Sequence, residues 1–343
     1  MKDIERLIRP NIAALCPYST ARDEYQGPLG IFLDANESPY PNGFNRYPDP
    51  HQKALKAKLS KIKGLPVENI FLGNGSDEAI DLVFRVFCRP GVDNAVAMAP
   101  SYGMYAVAAA TNDIEVRSVQ LGAEFDLPAE ALLQACDDNT RVMFLCSPNN
   151  PTGNAYDSRE LLSLADRFDG ILVVDEAYAD FSSKGSIRSE VLGRSNVIVL
   201  QTLSKAYGMA GLRLGMAFAC KRIIELMSMV KYPYNINQAA LDKVSELLDS
   251  PVEAQIREII KERRALAEYM TGLPYVKKVY PSDANFLLVK VDDADALYDH
   301  LIGDGIIVRN RNRVAGCSGC LRITIGLGSE NDKLRATLAT YRA

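Results

Sequence analysis

The sequence has little that would suit a nucleic-acid-binding or membrane protein. Lysine and arginine number 39 against 43 aspartates and glutamates, for a formal net charge of −4. No broad basic surface is therefore expected, and nucleic acid is not an expected partner. No apolar run approaches the roughly 20 residues that a membrane-spanning helix needs. Charged residues between Lys2 and Arg9 interrupt any apolar stretch near the N-terminus, which argues against a secretory signal. We predict a soluble, cytoplasmic protein.

Ligands for a metal ion are equally scarce. Histidine occurs only at His51 and His300, and Cys317 and Cys320 form the one CxxC pair among seven cysteines. A structural zinc site normally needs four such ligands. Half a zinc site or a redox pair are the alternative interpretations of the CxxC spacing. We favour two incidental thiols in a Gly/Ser turn and predict no metal site.

What the sequence does contain is a regular alternation of short apolar runs and helical patterns. The runs are nearly continuous, which is typical of strands buried on both faces of a sheet. Strands are predicted at 70–73, 95–99, 115–121, 141–146, 171–175, 196–202 and 214–219, and helices in several of the gaps. This alternation predicts an α/β fold with a mostly parallel central sheet covered by helices.

A second region begins with a long charged helix at 252–270. Strand patterns follow at 276–280, 284–291, 306–309 and 320–325, with a helix pattern at 294–302. This mixture predicts a smaller α+β domain. We expect a large domain over residues 29–262 and a small domain over residues 263–343. Residues 1–28, which lack a strand pattern, are assigned to the small domain as an N-terminal arm that packs on it or reaches a partner subunit.

Polar residues at the carboxyl ends of the predicted strands suggest a ligand site, because open α/β sheets bind ligands there. Asp175 ends one strand, and Lys205 follows the next, one strand–helix–strand step later. Arg213 lies between two glycines that allow an anion to approach closely. Asn150 lies in an Asn/Pro/Gly turn after another strand. Singly, each is explained as a solvated loop residue or a helix cap; together they favour one shared site.

Two further motifs are weaker evidence. The segment Gly75, Ser76 and Asp77 leads from a strand into a helix, whose free N–H groups can hold a phosphate. An ordinary serine N-cap explains the same residues. Tyr102 follows another apolar strand and would either stack on a flat ring or simply cover the core.

Taken together, the motifs resemble those of a known family. NGSDE, SPNNPTG, VVDEAY and TLSKAYGMAGLRLG, in this order and spacing, resemble the fold-type-I aminotransferases that depend on pyridoxal 5′-phosphate (PLP). The resemblance covers nearly the whole chain. It implies the three-layer PLP-dependent transferase fold and PLP as the cofactor. LIRPNI, LDANESP, RYPD, DANFL, GIIVR and CLRITIG further resemble the histidinol-phosphate aminotransferases.

The resemblance implies a role for each matching residue. Lys205 would carry the cofactor as a Schiff base and move the proton between substrate and cofactor. Asp175 would keep the pyridinium nitrogen protonated, Asn150 and Tyr178 would hydrogen-bond the phenolic oxygen, and Tyr102 would stack on the ring. The cofactor phosphate would be held by Gly75, Ser76, Asp77, Ser204 and Arg213, with Tyr47 from the other subunit. This implies a homodimer with shared active sites.

For the substrate, the resemblance implies contacts from Tyr18, Asn36, Asn150, Arg309 and Arg322. The planar fork of arginine suits both phosphate and carboxylate, so the two arginines would serve histidinol phosphate and glutamate in turn. Because Arg311 and Arg313 follow Arg309 at once, the sequence leaves open which arginines face the substrate.

The implied reaction interconverts L-histidinol phosphate and 2-oxoglutarate with imidazole acetol phosphate and L-glutamate, a step of histidine biosynthesis. Three alternatives use the same scaffold. An aromatic amino-acid aminotransferase or a threonine-phosphate decarboxylase would share the cofactor residues and differ in the substrate contacts. A non-enzymatic regulator would keep the fold and lose the chemistry, which the intact set of Lys205, Asp175 and Arg213 argues against.

Overall fold

The computed structural model describes residues 2–20 and 30–342, and their strands form a sheet of seven and a sheet of four. The strands are β1 Ile70–Asn74, β2 Asn94–Ala99, β3 Glu115–Gln120, β4 Thr140–Cys146, β5 Ile171–Asp175, β6 Val197–Thr202, β7 Leu214–Ala219, β8 Val276–Val279, β9 Phe286–Val291, β10 Arg309–Asn310 and β11 Cys320–Thr324. The helices are α1 Pro10–Ala13, α2 Lys53–Lys63, α3 Ser76–Phe87, α4 Met104–Thr111, α5 Ala129–Gln134, α6 Ser158–Arg167, α7 Lys221–Val230, α8 Gln238–Leu247, α9 Glu253–Thr271, α10 Ala294–Gly303 and α11 Gly328–Thr340. Among these helices, none is both long and apolar enough to cross a membrane.

The large sheet has the order β1-β7-β6-β5-β4-β2-β3. Strands β2 to β6 run parallel, and β7 is antiparallel to both of its neighbours, β1 and β6. The mostly parallel sheet is confirmed, and its seven strands lie within one residue of the predicted bounds. Because β7 returns directly beside β6, the connection 203–213 lies at the carboxyl end of β6, where the predicted site is expected.

The large sheet is covered by helices on both faces, which confirms the three-layer architecture. Side chains alternate between the two faces, so that Phe144 packs in one buried cluster while Met143 and Leu145 pack in the other. Buried residues of α3, α4 and α7 belong to the first cluster, and buried residues of α2, α5, α6 and α8 belong to the second. Each apolar strand is therefore shielded from water on both sides.

The small sheet is antiparallel, with the order β10-β11-β9-β8, and α9, α10 and α11 pack on it around Leu266, Leu297 and Leu334. The predicted strand at 306–309 is mostly wrong, because only Arg309 of that segment is in a strand. The N–H groups of Gly305 and Ile306 bond to carbonyls at the end of α10, at 2.9 and 2.8 Å. They terminate that helix and are not available for a sheet.

The N-terminal residues pack differently from the expectation that they belong with the small domain. Ile4, Leu7, Ile8 and Ile12 are buried in the first cluster of the large sheet. The N–H of Arg9 donates to the carbonyl of a residue in α3 at 3.0 Å. The predicted boundary near residue 28 lies outside the described residues, and the one at 262 falls inside α9. The division into two domains stays a prediction.

The buried N-terminal segment can be tested by truncating one side chain. Ile8→Ala is expected to lower the free energy of unfolding by about 2–4 kcal/mol, because it removes buried methyl groups and leaves a cavity. Leu15→Ala, at a side chain that is 39% exposed, serves as the control and is expected to cost less than about 1 kcal/mol. Urea denaturation followed by circular dichroism measures both. Equal losses would show that the segment does not contribute to the core.

Candidate active site

The carboxyl ends of the central strands bring together the predicted catalytic residues. Asp175 is the last residue of β5, and Lys205 follows β6 in the connection to β7. The Lys205 ammonium lies 5.6 Å from the centroid of the Tyr178 ring. Burial lowers the pKa of Lys205, and the nearby guanidinium of Arg322 lowers it further, while Asp175 opposes both effects. A lysine with a lowered pKa is more often an unprotonated, nucleophilic amine at neutral pH.

Asp175 is buried, and both of its carboxylate oxygens accept hydrogen bonds. The hydroxyl of Tyr105 donates to one oxygen at 2.8 Å, and the N–H of Ala177 donates to the other at 3.0 Å. Burial raises the pKa of Asp175, and these two hydrogen bonds oppose that rise by stabilising the ionised form. The result is a carboxylate of fixed orientation at the base of the site.

Tyr105 is the functional residue that the sequence analysis missed. It lies in α4, is fully buried, and stacks on Phe144 with ring centroids 4.8 Å apart. The available signal was the second tyrosine of the PSYGMY segment, three residues after Tyr102. Such a tyrosine is ordinarily a core residue, and only the packing of α4 on the sheet shows its contact with Asp175.

An anion-binding cradle forms where β7 meets the start of α3. The N–H of Gly75 donates to the carbonyl of Arg213 at 2.7 Å. Gly75 has φ +79°, and a Cβ there would lie 2.6 Å from Nη2 of Arg213. A Cβ at Gly215 would lie 2.1 Å from the backbone nitrogen of Ser76. Glycine is therefore required at both positions, and the arginine stands beside the N–H groups of a helix start.

The other predicted phosphate residues are connected to this cradle. The Tyr102 hydroxyl donates to Asp77 at 3.1 Å, and Nη2 of Arg213 lies 3.4 Å from the other oxygen of Asp77. The Tyr102 ring meets the Tyr105 ring edge-on. The hydroxyl of Ser204 accepts a hydrogen bond from Thr202 at 2.9 Å. Asp77 and Tyr102 thus orient Arg213 and one another.

Arginines from the small sheet complete the site. Arg309 lies directly opposite Arg322 in the β10–β11 pair. The guanidinium of Arg322 donates to the side-chain oxygen of Asn150 and lies 5.3 Å from the centroid of the Phe286 ring. This contact links the small sheet to the turn after β4. The structure therefore places Arg322 and Asn150 together, as the resemblance implied.

The third member of this group is Arg311. Burial, followed by repulsion from Arg322 and Arg309, lowers its pKa to about 10. The Nε atoms of Arg311 and Arg322 are buried and have no hydrogen-bond partner among residues 2–20 and 30–342. Within the same residues no carboxylate forms an ion pair with any of the three. The partly buried Arg311 and Arg322, with the exposed Arg309 beside them, therefore form a positive cluster that would be stabilised by a bound anion. Arg313 is exposed and is not part of this cluster.

Three predicted residues lie apart from these contacts. Tyr18 is 76% exposed. Tyr47 stacks on Tyr234 with ring centroids 4.4 Å apart and an interplanar angle of 12°. Asn36 and Tyr47 line a cavity of about 460 Å³. A neighbouring cavity of about 340 Å³ beside Arg213 shares part of its lining. Their predicted contacts with the cofactor and substrate stay predictions.

Comparison with known proteins identifies the family. A family model for aminotransferase class I and II matches residues 34–338. The chain belongs to that family. It is 54% identical to the histidinol-phosphate aminotransferase of Parabacteroides distasonis, with 97% of each chain covered. Members of the family depend on PLP, and PLP is the cofactor of this protein.

Solved structures support the fold of this aminotransferase without distinguishing its reaction. Histidinol-phosphate aminotransferase from Sinorhizobium meliloti in complex with PLP superposes with a TM-score of 0.77 at 23% identity, covering 85% of this chain and 82% of that one. L-threonine-O-3-phosphate decarboxylase from Porphyromonas gingivalis gives 0.73 at 24% identity, covering 86% and 90%. The two scores differ little although the two enzymes catalyse different reactions.

The residues of this aminotransferase fit PLP chemically. The glycine-lined start of α3 and the guanidinium of Arg213 form a site for its phosphate. The buried carboxylate of Asp175 suits a protonated ring nitrogen. Lys205, with its lowered pKa, suits covalent attachment of the aldehyde. Asn150 contacts Arg322 of the arginine cluster, and Tyr178 lies beside Lys205.

Removing the Tyr105 hydroxyl tests the electrostatics of this site. Tyr105→Phe should raise the pKa of Asp175 further, because one of the two opposing hydrogen bonds is lost. Activity that needs ionised Asp175 is lost as pH falls, so the acid limb of the kcat/KM profile should move to higher pH. A hydrogen bond to a charged group is worth about 1.5–3 kcal/mol, which predicts a fall in kcat of roughly tenfold to hundredfold.

The matched control is Tyr156→Phe. Tyr156 is also buried, and its hydroxyl donates to a backbone carbonyl at 3.0 Å. This variant loses a hydrogen bond of similar burial and should leave the acid limb unchanged. Identical pH profiles for the two variants would show that Tyr105 acts only through stability.

Proposed function

We propose that this enzyme interconverts L-histidinol phosphate and 2-oxoglutarate with imidazole acetol phosphate and L-glutamate. The observation that carries the proposal is the cluster of Arg309, Arg311 and Arg322, which meets no acidic partner in the described part of the chain. The cluster reaches the cofactor site through the contact of Arg322 with Asn150. The relative at 54% identity carries the name of this activity.

The residues divide the chemistry among them. When bound, PLP supplies a ring that accepts the electrons left when a substrate Cα loses its proton. Asp175 holds the proton on the ring nitrogen, so that the ring remains an electron acceptor. Lys205 would hold the cofactor covalently, and its amine would move the proton between the substrate Cα and the cofactor. Arg213 and the start of α3 hold the phosphate and thereby keep the ring from moving.

The arginine cluster has to serve two substrates in turn. Histidinol phosphate carries a phosphate and no carboxylate, whereas glutamate carries two carboxylates. Both are polyanions that an arginine fork binds by paired hydrogen bonds. Arg322 is oriented by Asn150 and by the ring of Phe286. Arg309, opposite it and exposed, is free to adjust to either anion. We therefore assign substrate recognition to this cluster.

The competing reactions are separated by half-reactions with single amino donors. Histidinol phosphate and glutamate should each change the absorbance of the cofactor in the holoenzyme within one turnover. Phenylalanine should do so at least about 100-fold more slowly, because its one carboxylate brings a single negative charge to the cluster, whereas a phosphate or two carboxylates bring about two. Rapid conversion by phenylalanine alone would assign an aromatic aminotransferase. Release of CO₂ from threonine phosphate would assign a decarboxylase, and no conversion by any donor would assign a non-catalytic protein.

A variant pair tests the cluster within the same assay. Arg322→Gln should raise the apparent Kd for histidinol phosphate by about 100-fold, since it removes a charge-assisted contact worth about 1.5–3 kcal/mol. Arg313→Gln is the control, because Arg313 lies on the same segment, is exposed, and makes no ion pair with described residues. The apparent Kd of Arg313→Gln for histidinol phosphate should stay within about twofold of the wild-type value.

We also propose that the enzyme is a homodimer with shared active sites. Ile31 and Leu33 are 90% and 88% exposed, and Tyr40 and Phe44 in the same segment are also largely exposed. Large apolar side chains clustered on a surface usually mark an interface. Packed on a second copy, this segment would carry Tyr47 to the cofactor phosphate of the partner subunit.

Hybrid dimers test this arrangement. Lys205→Ala and Tyr47→Ala subunits are each inactive or weak alone, but a hybrid of the two has one site with both native residues if Tyr47 acts across the interface. Random mixing after co-expression should restore about a quarter of wild-type activity, since half of the dimers are hybrid and half of their sites are native. No gain over the separate variants would place Tyr47 in the site of its own chain.

The cysteines suit a reducing compartment. All seven are free thiols, and Cys317 and Cys320 are buried beneath the turn between β10 and β11. Secreted proteins more often pair their cysteines as disulfides. We therefore place the enzyme in the cytoplasm.

A further inference from the structure

A cavity of about 320 Å³ lies between the first turns of α2 and α7. From α2 and the residues before it come His51, Lys53 and Lys56, and from α7 come Lys221 and Glu225. None of its lining residues belongs to the cofactor site or to the arginine cluster. The cavity therefore has no part in the chemistry described above.

Lys56 is the unusual member of this lining. It is only 9% exposed, and its ammonium makes no hydrogen bond or ion pair with any residue of 2–20 or 30–342. Burial and the charge of Lys231 lower its pKa to about 8, and Asp49 offsets this only in part. Lys231 by contrast donates to the carbonyl of Pro50 at 2.9 Å, among others. Removing most of a lysine side chain from water without giving its ammonium an acceptor is unfavourable unless an anion accompanies it.

The two helix starts add to the positive potential of the cavity. The N-terminal end of a helix carries a partial positive charge and usually has acidic residues nearby. The first turn of α2 contains Lys53 and Lys56 and no acid, and α7 begins with Lys221 and Arg222 and has no acid in its first turn. At α2 the carboxylate of Asp49 accepts a hydrogen bond from the N–H of Lys53 at 2.7 Å, whereas the start of α7 has no capping side chain. By contrast, α3 and α6 have acids in their first turns.

The nearby carboxylates are already engaged or remote from Lys56. Glu225 lies 4.0 Å from Lys221 and 3.8 Å from Arg222. Asp49 accepts hydrogen bonds from the backbone N–H groups of His51 and Lys53, at 2.9 and 2.7 Å. Glu68 also lines the cavity but is exposed and contributes nothing to the pKa of Lys56. Asp49 therefore offsets the positive charge around Lys56 only in part, and an excess remains.

We propose that this cavity binds a phosphate group, as inorganic phosphate or as the phosphate of a small metabolite, with Lys56 as its buried anchor. Lysine binds phosphate as a point charge, and helix starts supply N–H donors and a favourable dipole. Several cations around a compact space suit a small, multiply charged anion better than a single carboxylate. The site is independent of the proposed function and would exist whatever reaction the enzyme catalyses.

Trace labelling of the holoenzyme measures occupancy at Lys56 directly. Acetic anhydride at pH 8 acetylates each lysine according to its free-amine fraction and access, and peptide mass spectrometry reads every site separately. Phosphate at ten times its Kd should slow acetylation of Lys56 about tenfold, because about nine-tenths of the sites are then occupied. Lys61, exposed on the same helix and outside the cavity, should be unaffected. Potassium chloride keeps the ionic strength equal in both arms.

Paired variants separate this cavity from the phosphate-binding groups of the active site. Lys56→Met and Lys61→Met each remove one lysine charge from α2 and leave the active site intact. Phosphate should raise the Tm of wild type and of Lys61→Met more than that of Lys56→Met. Without phosphate, Lys56→Met should be at least as stable as wild type, because it removes an uncompensated buried charge.

The probes also distinguish the possible ligands. Glycerol phosphate that protects Lys56 better than inorganic phosphate would indicate a phosphorylated metabolite, and equal protection would indicate the phosphate group alone. Acetate at the same concentration should protect neither. The proposal is overturned if phosphate leaves labelling of Lys56 in wild type unchanged, or if Lys56→Met gains as much Tm from phosphate as Lys61→Met.

Discussion

The close contact between β7 and the first turn of α3 is the constraint on which the site depends. At Gly215 the two backbones approach so closely that no side chain fits. The contact places the carbonyl of Arg213 on the N–H of Gly75 and its guanidinium beside the helix start. The same contact closes the connection 203–213 over the end of β6, and this connection carries Lys205. One tight packing therefore positions both Arg213 and Lys205.

The charged groups of the site shift one another's pKa values. Burial raises the pKa of Asp175, and the hydrogen bonds from Tyr105 and from a backbone N–H oppose that rise. Lys205 is pushed toward its neutral form by burial and by Arg322. Arg322 itself belongs to the small sheet and reaches the large sheet through Asn150. Any movement of the small sheet would therefore change both substrate binding and the pKa of Lys205. Substrate anions that neutralise Arg322 should make Lys205 more basic once they bind.

The fold alone does not distinguish the reactions that it supports. An aminotransferase and a decarboxylase superpose on this chain about equally well, so the backbone shape does not separate the two reactions. In the proposed reaction, specificity would depend on Arg309, Arg311 and Arg322 of the small sheet, which lie near Asn150 of the large one. The relative at 54% identity is similar in its side chains as well as in its fold. Its name therefore says more about the reaction than a similar backbone shape does.

The sequence by itself determined the large sheet and drew attention to the polar residues at its carboxyl edge. Strands buried on both faces must be continuously apolar, so their patterns are unmistakable, and polar residues at their ends stand out. Only the tertiary structure decided the rest. Tyr105 lies within a helix pattern, and its contact with Asp175 depends on how that helix packs. Arg309, Arg311 and Arg313 look alike in the sequence; the β10–β11 pairing separates them. Local patterns record burial, whereas contacts between distant segments are set by packing geometry.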